Sequence, residues 1–366
     1  MGKRNLFIGV VLFVLTACGT GERTNENAVF FTRDDFKEHR TLSNPEELVF
    51  PNLLNPTAFY LIRDTIVVAN NQTNNEYLVE IYSLNNKNTP LAQVARRGNG
   101  PGEVLSGAAL IHANSPDFMF FDRQANLYYQ VNVDSILSNR RLVFDKTIKY
   151  SSVLHPNVEP VITGENEYIG YSIWYSDAPK YDNHVPALTR YTPNNVPEER
   201  LDVGTLAKYD YFVAPINTVC LFENPSTKQL WMADGHRDRI KIYNDSLCVE
   251  KVLCGPDNFK VRYKDVRNNA GIRFVTFDGK ESRAYLNYTI TDKYIYLIYA
   301  GTDSYDIDNL QPVEIFKLDY DGNLLCNYKL DRFVLTLSVD SKEEYFYCTT
   351  RKSVQGDEAH FIRYKL

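Results

Sequence analysis

Residues 229–255 read QLWMADGHRDRIKIYNDSLCVEKVLCG, and this stretch decides the fold. Leu230 to Asp234 and Arg239 to Tyr243 are alternating apolar runs on either side of a short polar loop. A tight turn at Asn244, Asp245 and Ser246 follows, then a third run to Cys254. Alternation with period two puts one side of each run in a core, and polar turn residues end each run, so the unit is a β-meander. The same order recurs as 64–71, 76–84 and 90–98; as 117–124, 127–134 and 141–148; and as 166–174, 186–193 and 198–204. It returns as 292–301, 312–320 and 323–330, and a last copy runs from Leu335 through 360–366. The mean spacing from Thr57 to Leu366 is about 52 residues, the period of propeller blades rather than of helical solenoids.

The pattern predicts an all-β protein, a six-bladed β-propeller of four-stranded antiparallel blades. The last copy ends at Leu366 with its fourth strand still missing. The apolar stretch Val29 to Thr32 is expected to supply it, an N-terminal strand joining the last blade so that no open edge remains. Composition agrees. Of 366 residues 44% are hydrophobic and 23% charged, enough to bury a large core, and 26 Tyr and 20 Phe suit pleated, half-buried surfaces. The formal charge of −6 argues against a nucleic-acid partner.

The N-terminus is a targeting segment. Lys3 and Arg4 precede an apolar run from Leu6 to Leu15 that is too short to span a bilayer. Leu15-Thr16-Ala17-Cys18 resembles a bacterial lipobox. That resemblance implies cleavage before Cys18 and lipidation of Cys18, whose acyl chains would hold the protein to a membrane. Residues 1–17 are therefore read as a signal peptide, 18–28 as lipidated Cys18 and a flexible tether, and 29–366 as one propeller domain. Gly19, rather than Asp, after Cys18 favours the outer membrane of the bacterial cell envelope. Five cysteines remain, an odd number. Cys248 and Cys254 share one extended stretch and stand too far apart to bond, so buried free thiols are expected.

The stretch 230–244 resembles an NHL or YWTD-type blade. Together with the lipobox, the six copies and Arg97-Gly98-Asn99-Gly100-Pro101-Gly102-Glu103, it makes the chain similar to the TolB-like propeller lipoproteins of Bacteroides-type bacteria. The resemblance implies an envelope location and a binding role. Propellers host unrelated functions, so activity has to be argued from a site.

In a four-stranded blade, the loops joining strands 2 and 3 share one face with the blade-to-blade connections. The strand 2-to-3 loops are 70–76, 122–126, 175–186, 234–238, 301–312 and 351–360. The longer connections are 94–103, 203–215 and 254–271. Long loops without structure of their own tend to be functional, so this face is the expected binding face. In 96–103, three glycines could let backbone N–H groups approach an anion beside Arg97; the plainer reading is a rigid turn with Glu103 and Arg97 in structural hydrogen bonds. Trp174, Tyr175 and His184 in one loop, with Tyr209 in another, could make a stacking platform for a sugar or peptide; the plainer reading is local packing under long loops. Asp234, His236 and Arg237 form either turn chemistry or a charged contact. Arg123, Arg262 and Arg273 complete the candidates, with Arg262 in a local basic cluster. Asp303, Asp306 and Asp308 could ligate calcium but lack the EF-hand spacing, and no cofactor is expected.

No Gly-x-Ser-x-Gly elbow or His-Glu-x-x-His is present. The expected function is thus a monomeric, noncatalytic binding or scaffold lipoprotein, held to the membrane by its anchor and engaging an envelope protein or glycan. The alternative is a metal-dependent hydrolase or lyase with its site in the central channel.

Overall fold

The computed structural model describes residues 27–366 except 55, 72–75, 106, 109–116, 123–124, 126, 143, 150–157, 165–166, 172–173, 176–187, 192–210, 213–218, 259–261, 268, 270, 272, 307 and 352–358. Six small sheets stand around a ring as a six-bladed β-propeller. Blade 1 runs from Pro56–Ile62 to Ala92–Arg96, blade 2 from Gly107–Ala108 to Lys146–Lys149, and blade 3 from Val161–Ile162 to Leu188–Tyr191. Blade 4 runs from Val219–Glu223 to Val249–Cys254, blade 5 from Glu281–Ile290 to Leu324–Leu330, and blade 6 from Thr336–Val339 to His360–Lys365.

Alternation along each strand divides its side chains between two neighbours. In blade 4, Trp231 and Ala233 face blade 5, whereas Leu230 and Met232 face blade 3. Among the described residues every seam of the ring has its own apolar cluster, from Val68, Ile81, Phe118 and Val131 between blades 1 and 2 to Phe59, Val67, Tyr82 and Phe361 between blades 6 and 1. Aromatic pairs thicken these seams. Ring centroids lie 4.4 Å apart for Phe121 and Tyr128 and 4.4 Å for Phe222 and Tyr288. Such pairs add about 0.5–1.5 kcal/mol beyond their buried area.

Closure differs from the sequence expectation. Ala28–Phe30 does not join blade 6; it lies parallel on the outer strand of blade 4, with Val29 opposite Leu253. Glu38–Leu42 then lies parallel on the outer strand of blade 5. Only Glu46–Glu47 pairs antiparallel with His360–Lys365 and completes blade 6. Blades 4 and 5 thereby gain a fifth, parallel strand, so the uniform four-stranded antiparallel blade is corrected. The reason is chemical. Two glutamates carry no apolar alternation, and they are held by backbone pairing, by Arg363 Nη2 at 2.6 Å from Glu46 and by His360 Nδ1 at 2.9 Å from Glu47. The Val29–Phe30 run, by contrast, is half to two-thirds exposed and only looked like a core strand.

Residues 27–50 thus form a belt around the rim. Phe31 and Phe36 wedge into the seam between blades 4 and 5, and Leu48 and Phe50 fill the one between blades 6 and 1. Arg33 latches the belt: its Nη1 lies 2.6 Å from Asp257 and its Nε 2.7 Å from Glu314.

Blade 2 holds a helix, Val133–Asn139, that the run 141–148 did not announce. Asn132 caps it, its Oδ1 accepting from the N–H groups of Asp134 at 2.9 Å and Ser135 at 3.2 Å. The outer strand of that blade consequently begins only at Lys146. The expected fourth strand of blade 3, 198–204, lies outside the described residues. So do the signal segment and Cys18. Among the described cysteines none forms a disulfide, and Cys220, Cys254, Cys326 and Cys348 are buried.

Candidate functional site

A seventh sheet sits on the loop face, outside the blades. Its order is Trp174–Tyr175, Tyr211–Phe212, Arg273–Phe277, Tyr263–Arg267. The first and last pairings are antiparallel and the middle one is parallel. It therefore gathers the strand 2-to-3 loop of blade 3 and the connections from blade 3 to 4 and from blade 4 to 5 into one crown. The register puts Trp174, Phe212, Phe274 and Val266 in one row and Tyr175, Tyr211, Arg273 and Arg267 in the next.

The crown is docked on blade 4 through the turn at Asp234. Asp234 Oδ1 accepts from the N–H groups of His236 at 2.9 Å and Arg237 at 3.1 Å, and Arg237 Nη1 returns to Asp234 Oδ2 at 3.1 Å. This folds His236 completely inward. Its Nδ1 lies 2.8 Å from the Ser282 carbonyl, which can only accept, so Nδ1 carries the proton. Ser282 Oγ donates to the His236 carbonyl at 3.0 Å, and the Ala284 N–H to that of Gly235 at 2.8 Å. Phe277, at the end of a crown strand, stacks obliquely on the imidazole with centroids 4.8 Å apart. Burial, reinforced by the Arg283 charge, drives the His236 pKa down to about 3, so the ring is neutral and supports the crown from beneath. Glu281 pairs with Arg283 beside it, and burial raises the Glu281 carboxyl.

The connection into the crown is fixed at its root. Asp238 Oδ2 accepts from the N–H groups of Asp257, at 2.7 Å, and Asn258. Burial works against the Asp257 carboxylate, but hydrogen bonds from Arg33 and Tyr299 overcome it and hold its pKa below the usual range. The belt and the crown are thus joined at one carboxylate.

The other candidates fall differently. In 96–103 the carboxylate of Glu103 turns back into its own loop and accepts from the Gly100 N–H at 2.8 Å, filling the cradle an anion would occupy. A Cβ on Gly98 would come within 2.0 Å of the Glu103 carboxylate, which accounts for glycine there. Arg97 stays exposed at the edge of this turn. Arg262 is exposed at the start of the crown, its carbonyl accepting from the Asp278 N–H at 3.0 Å. Asp306 Oδ1 accepts from the Asp308 N–H at 3.0 Å, a local turn, and Asp303 is exposed. Among the described residues no three acidic, His or Cys side chains are grouped to hold a metal ion. Arg123, His184 and Tyr209 lie outside the described residues; Trp174, Tyr175 and Arg273 are placed by their backbone. The sequence reading missed the crown itself. Its one legible signal was the aromatic and β-branched run Phe274-Val275-Thr276-Phe277 ending in Asp278-Gly279, a strand-and-turn composition next to a segment read as loop.

On the opposite face a cleft of about 540 Å³ opens between blades 3 and 4, floored by Val161, Ile169 and Leu230 and rimmed by Arg190, Lys228 and Asn244. Its cations are engaged, Arg190 with Glu167 at 2.6 Å and Lys228 with Glu223 at 2.8 Å.

No protein-family model and no curated protein matches the sequence. Solved structures do. The chain is similar to the crystal structure of a DUF4221 family member from Bacteroides vulgatus, with a TM-score of 0.50 and 10% identity, covering 89% of this chain and 94% of that one. A Bacteroides fragilis protein described as exported gives a TM-score of 0.47 and 8% identity, covering 90% of this chain and 99% of that one. At such identity the first likeness speaks for the fold alone. No helix among the described residues is long and apolar enough to cross a membrane.

Proposed function

We propose that the protein is an envelope-anchored lipoprotein of the TolB-like or NHL-like kind that binds an envelope protein or glycan through its crown, without catalysis. The observation that carries this reading is the crown. Three long segments from separate parts of the chain spend backbone hydrogen bonds on a sheet that no blade needs, and a buried, hydrogen-bonded histidine holds it in place. The backbone register aligns Tyr175, Tyr211 and Arg273 with exposed Arg267, and Tyr and Arg are residue types that interfaces favour.

Site-specific photocrosslinking in intact cells tests the proposal. A crosslinker at Lys264 of the crown is expected to capture a discrete partner, and one at Lys228 on the opposite face is not. Equal labelling from both positions, or lipid alone at Lys264, would overturn it. Mass-spectrometric detection of acyl chains on Cys18 tests the anchor separately.

A further inference from the structure

The belt runs side by side with the start of the connection that leads into the crown. Ala28, Val29 and Phe30 pair in parallel with Val252, Leu253 and Cys254, the residues of blade 4 from which that connection departs. The Phe31 N–H donates to the Cys254 carbonyl at 2.9 Å, and the Phe31 carbonyl oxygen occupies the space that a Cβ on Gly255 would need. Two residues further along each segment, Arg33 Nη1 and Nη2 grip the two carboxylate oxygens of Asp257 at 2.6 and 2.9 Å. Asp257 is tied into the propeller as well. Its N–H donates to Asp238 Oδ2 at 2.7 Å, and its Oδ2 accepts from the Tyr299 hydroxyl at 2.9 Å. Asn258, whose N–H also goes to Asp238, precedes the crown strand Tyr263–Arg267 by five positions.

Parts of a fold open locally according to the contacts that hold them, and two parts that share a contact are coupled. We propose that the belt is a regulatory strap: docked, residues 28–33 order the root of the crown through Arg33 and Asp257, and undocked, they loosen the crown while the blades stay closed. The two states differ at one group. With Arg33 in place the partly buried Asp257 carboxylate is compensated; without it the carboxylate is better served by water, and turning outward takes the Asp257 N–H away from Asp238. Coupling of this kind is reciprocal, so whatever steadies the crown also favours the docked belt. The inference rests on the reading of the crown as the binding surface and adds how that surface is controlled.

Hydrogen–deuterium exchange of the purified full chain, read by mass spectrometry, tests the strap. Arg33→Met is expected to speed exchange about threefold in peptides covering the crown strands Tyr263–Arg267 and Arg273–Phe277, with no change in the blade 1 strands Ile66–Asn71 and Tyr77–Ser83. Arg63→Met, which removes the two-pronged pair with Asp134, should leave the crown as it is in wild type. In the reverse direction, Phe277→Ala removes the ring that stacks on His236 and should speed exchange in the belt peptide 28–36. An unchanged crown in Arg33→Met, an equal acceleration through every blade, or an unmoved belt in Phe277→Ala would overturn the coupling. Should Arg33→Met not fold, Arg33→Lys, which keeps the charge but loses the fork, carries the same expectation at smaller amplitude, and an unchanged crown there overturns it too. Photocrosslinking at Lys264 reads partner capture rather than amide exchange. A failure of the exchange test therefore strikes the strap and leaves the crown reading standing, and failed capture does the reverse.

Discussion

At the residue scale, two positions show how local chemistry carries the architecture. Gly255 has φ +144°, and a Cβ there would meet the Phe31 carbonyl oxygen at 2.0 Å, so this glycine exists to let the belt approach blade 4. Gly255→Ala should therefore cost about 2 kcal/mol or more in chemical denaturation, whereas Gly279→Ala, with open space around its Cβ, should cost less. His236 makes the second case. Its folded pKa of about 3 lies below the roughly 6.5 of an unfolded histidine, so between those values the unfolded chain holds a proton that the native one lacks. Its contribution is complete above about pH 6.5 and declines as acid is added, by up to about 1.4 kcal/mol per pH unit, until about pH 3. Denaturant midpoints between pH 7 and 4 should show this slope reduced in His236→Gln. The Asp234 turn was legible from Asp-Gly-His-Arg-Asp in the sequence. That its histidine is buried was not, because the covering ring, Phe277, comes from a segment with no blade-like repeat.

Elements were read well where burial imposed a period and poorly where backbone pairing alone decided. Blade strands such as Leu230–Asp234 and Tyr294–Tyr305 announced themselves by alternation. Glu46–Glu47 and Glu38–Leu42 had no such pattern, since an outer strand with an exposed flank needs only its N–H and C=O groups. Two of the crown strands, Trp174–Tyr175 and Tyr211–Phe212, are just two residues long, too short to show a period at all. Side chains also take over backbone duties at the seam between blades 6 and 1. Thr349 Oγ1 accepts from the Phe59 N–H at 2.8 Å, Ser338 Oγ accepts from the Leu61 N–H at 3.1 Å, and Thr336 Oγ1 donates to the Phe59 carbonyl at 2.8 Å. These hydroxyls are buried, so Thr349→Val, which leaves the Phe59 N–H unpaired, should lower stability by about 1–3 kcal/mol with little change in shape. At the latch, Asp257 has a lowered folded pKa, so its stabilisation is present above the unfolded carboxylate value and fades as pH falls through the lower folded one. Asp257→Asn should flatten the acid side of the stability profile, read from Tm between pH 5 and 2.

For the whole molecule, the repeat count was legible because six meanders fill the chain between the belt and Leu366, but the means of closure was not. Two truncations separate the parts. Removing residues 1–44 deletes Phe31, Arg33 and Phe36 yet keeps Glu46–Glu47, and should give a closed ring with a lower Tm. Removing residues 1–50 also takes the closing pair, Leu48 and Phe50, and should yield a chain that unfolds without a sharp transition and is cut rapidly in limited proteolysis. The belt also decides how the ring bears mechanical load. A pull on the chain ahead of Asn27 first meets the Ala28–Phe30 ladder on blade 4, then the Phe31 and Phe36 wedges and the Arg33 latch. Tension is spent there, two blades away from Glu46–Glu47, so a tug on the N-terminus can peel the rim while the pair that shuts the ring stays slack.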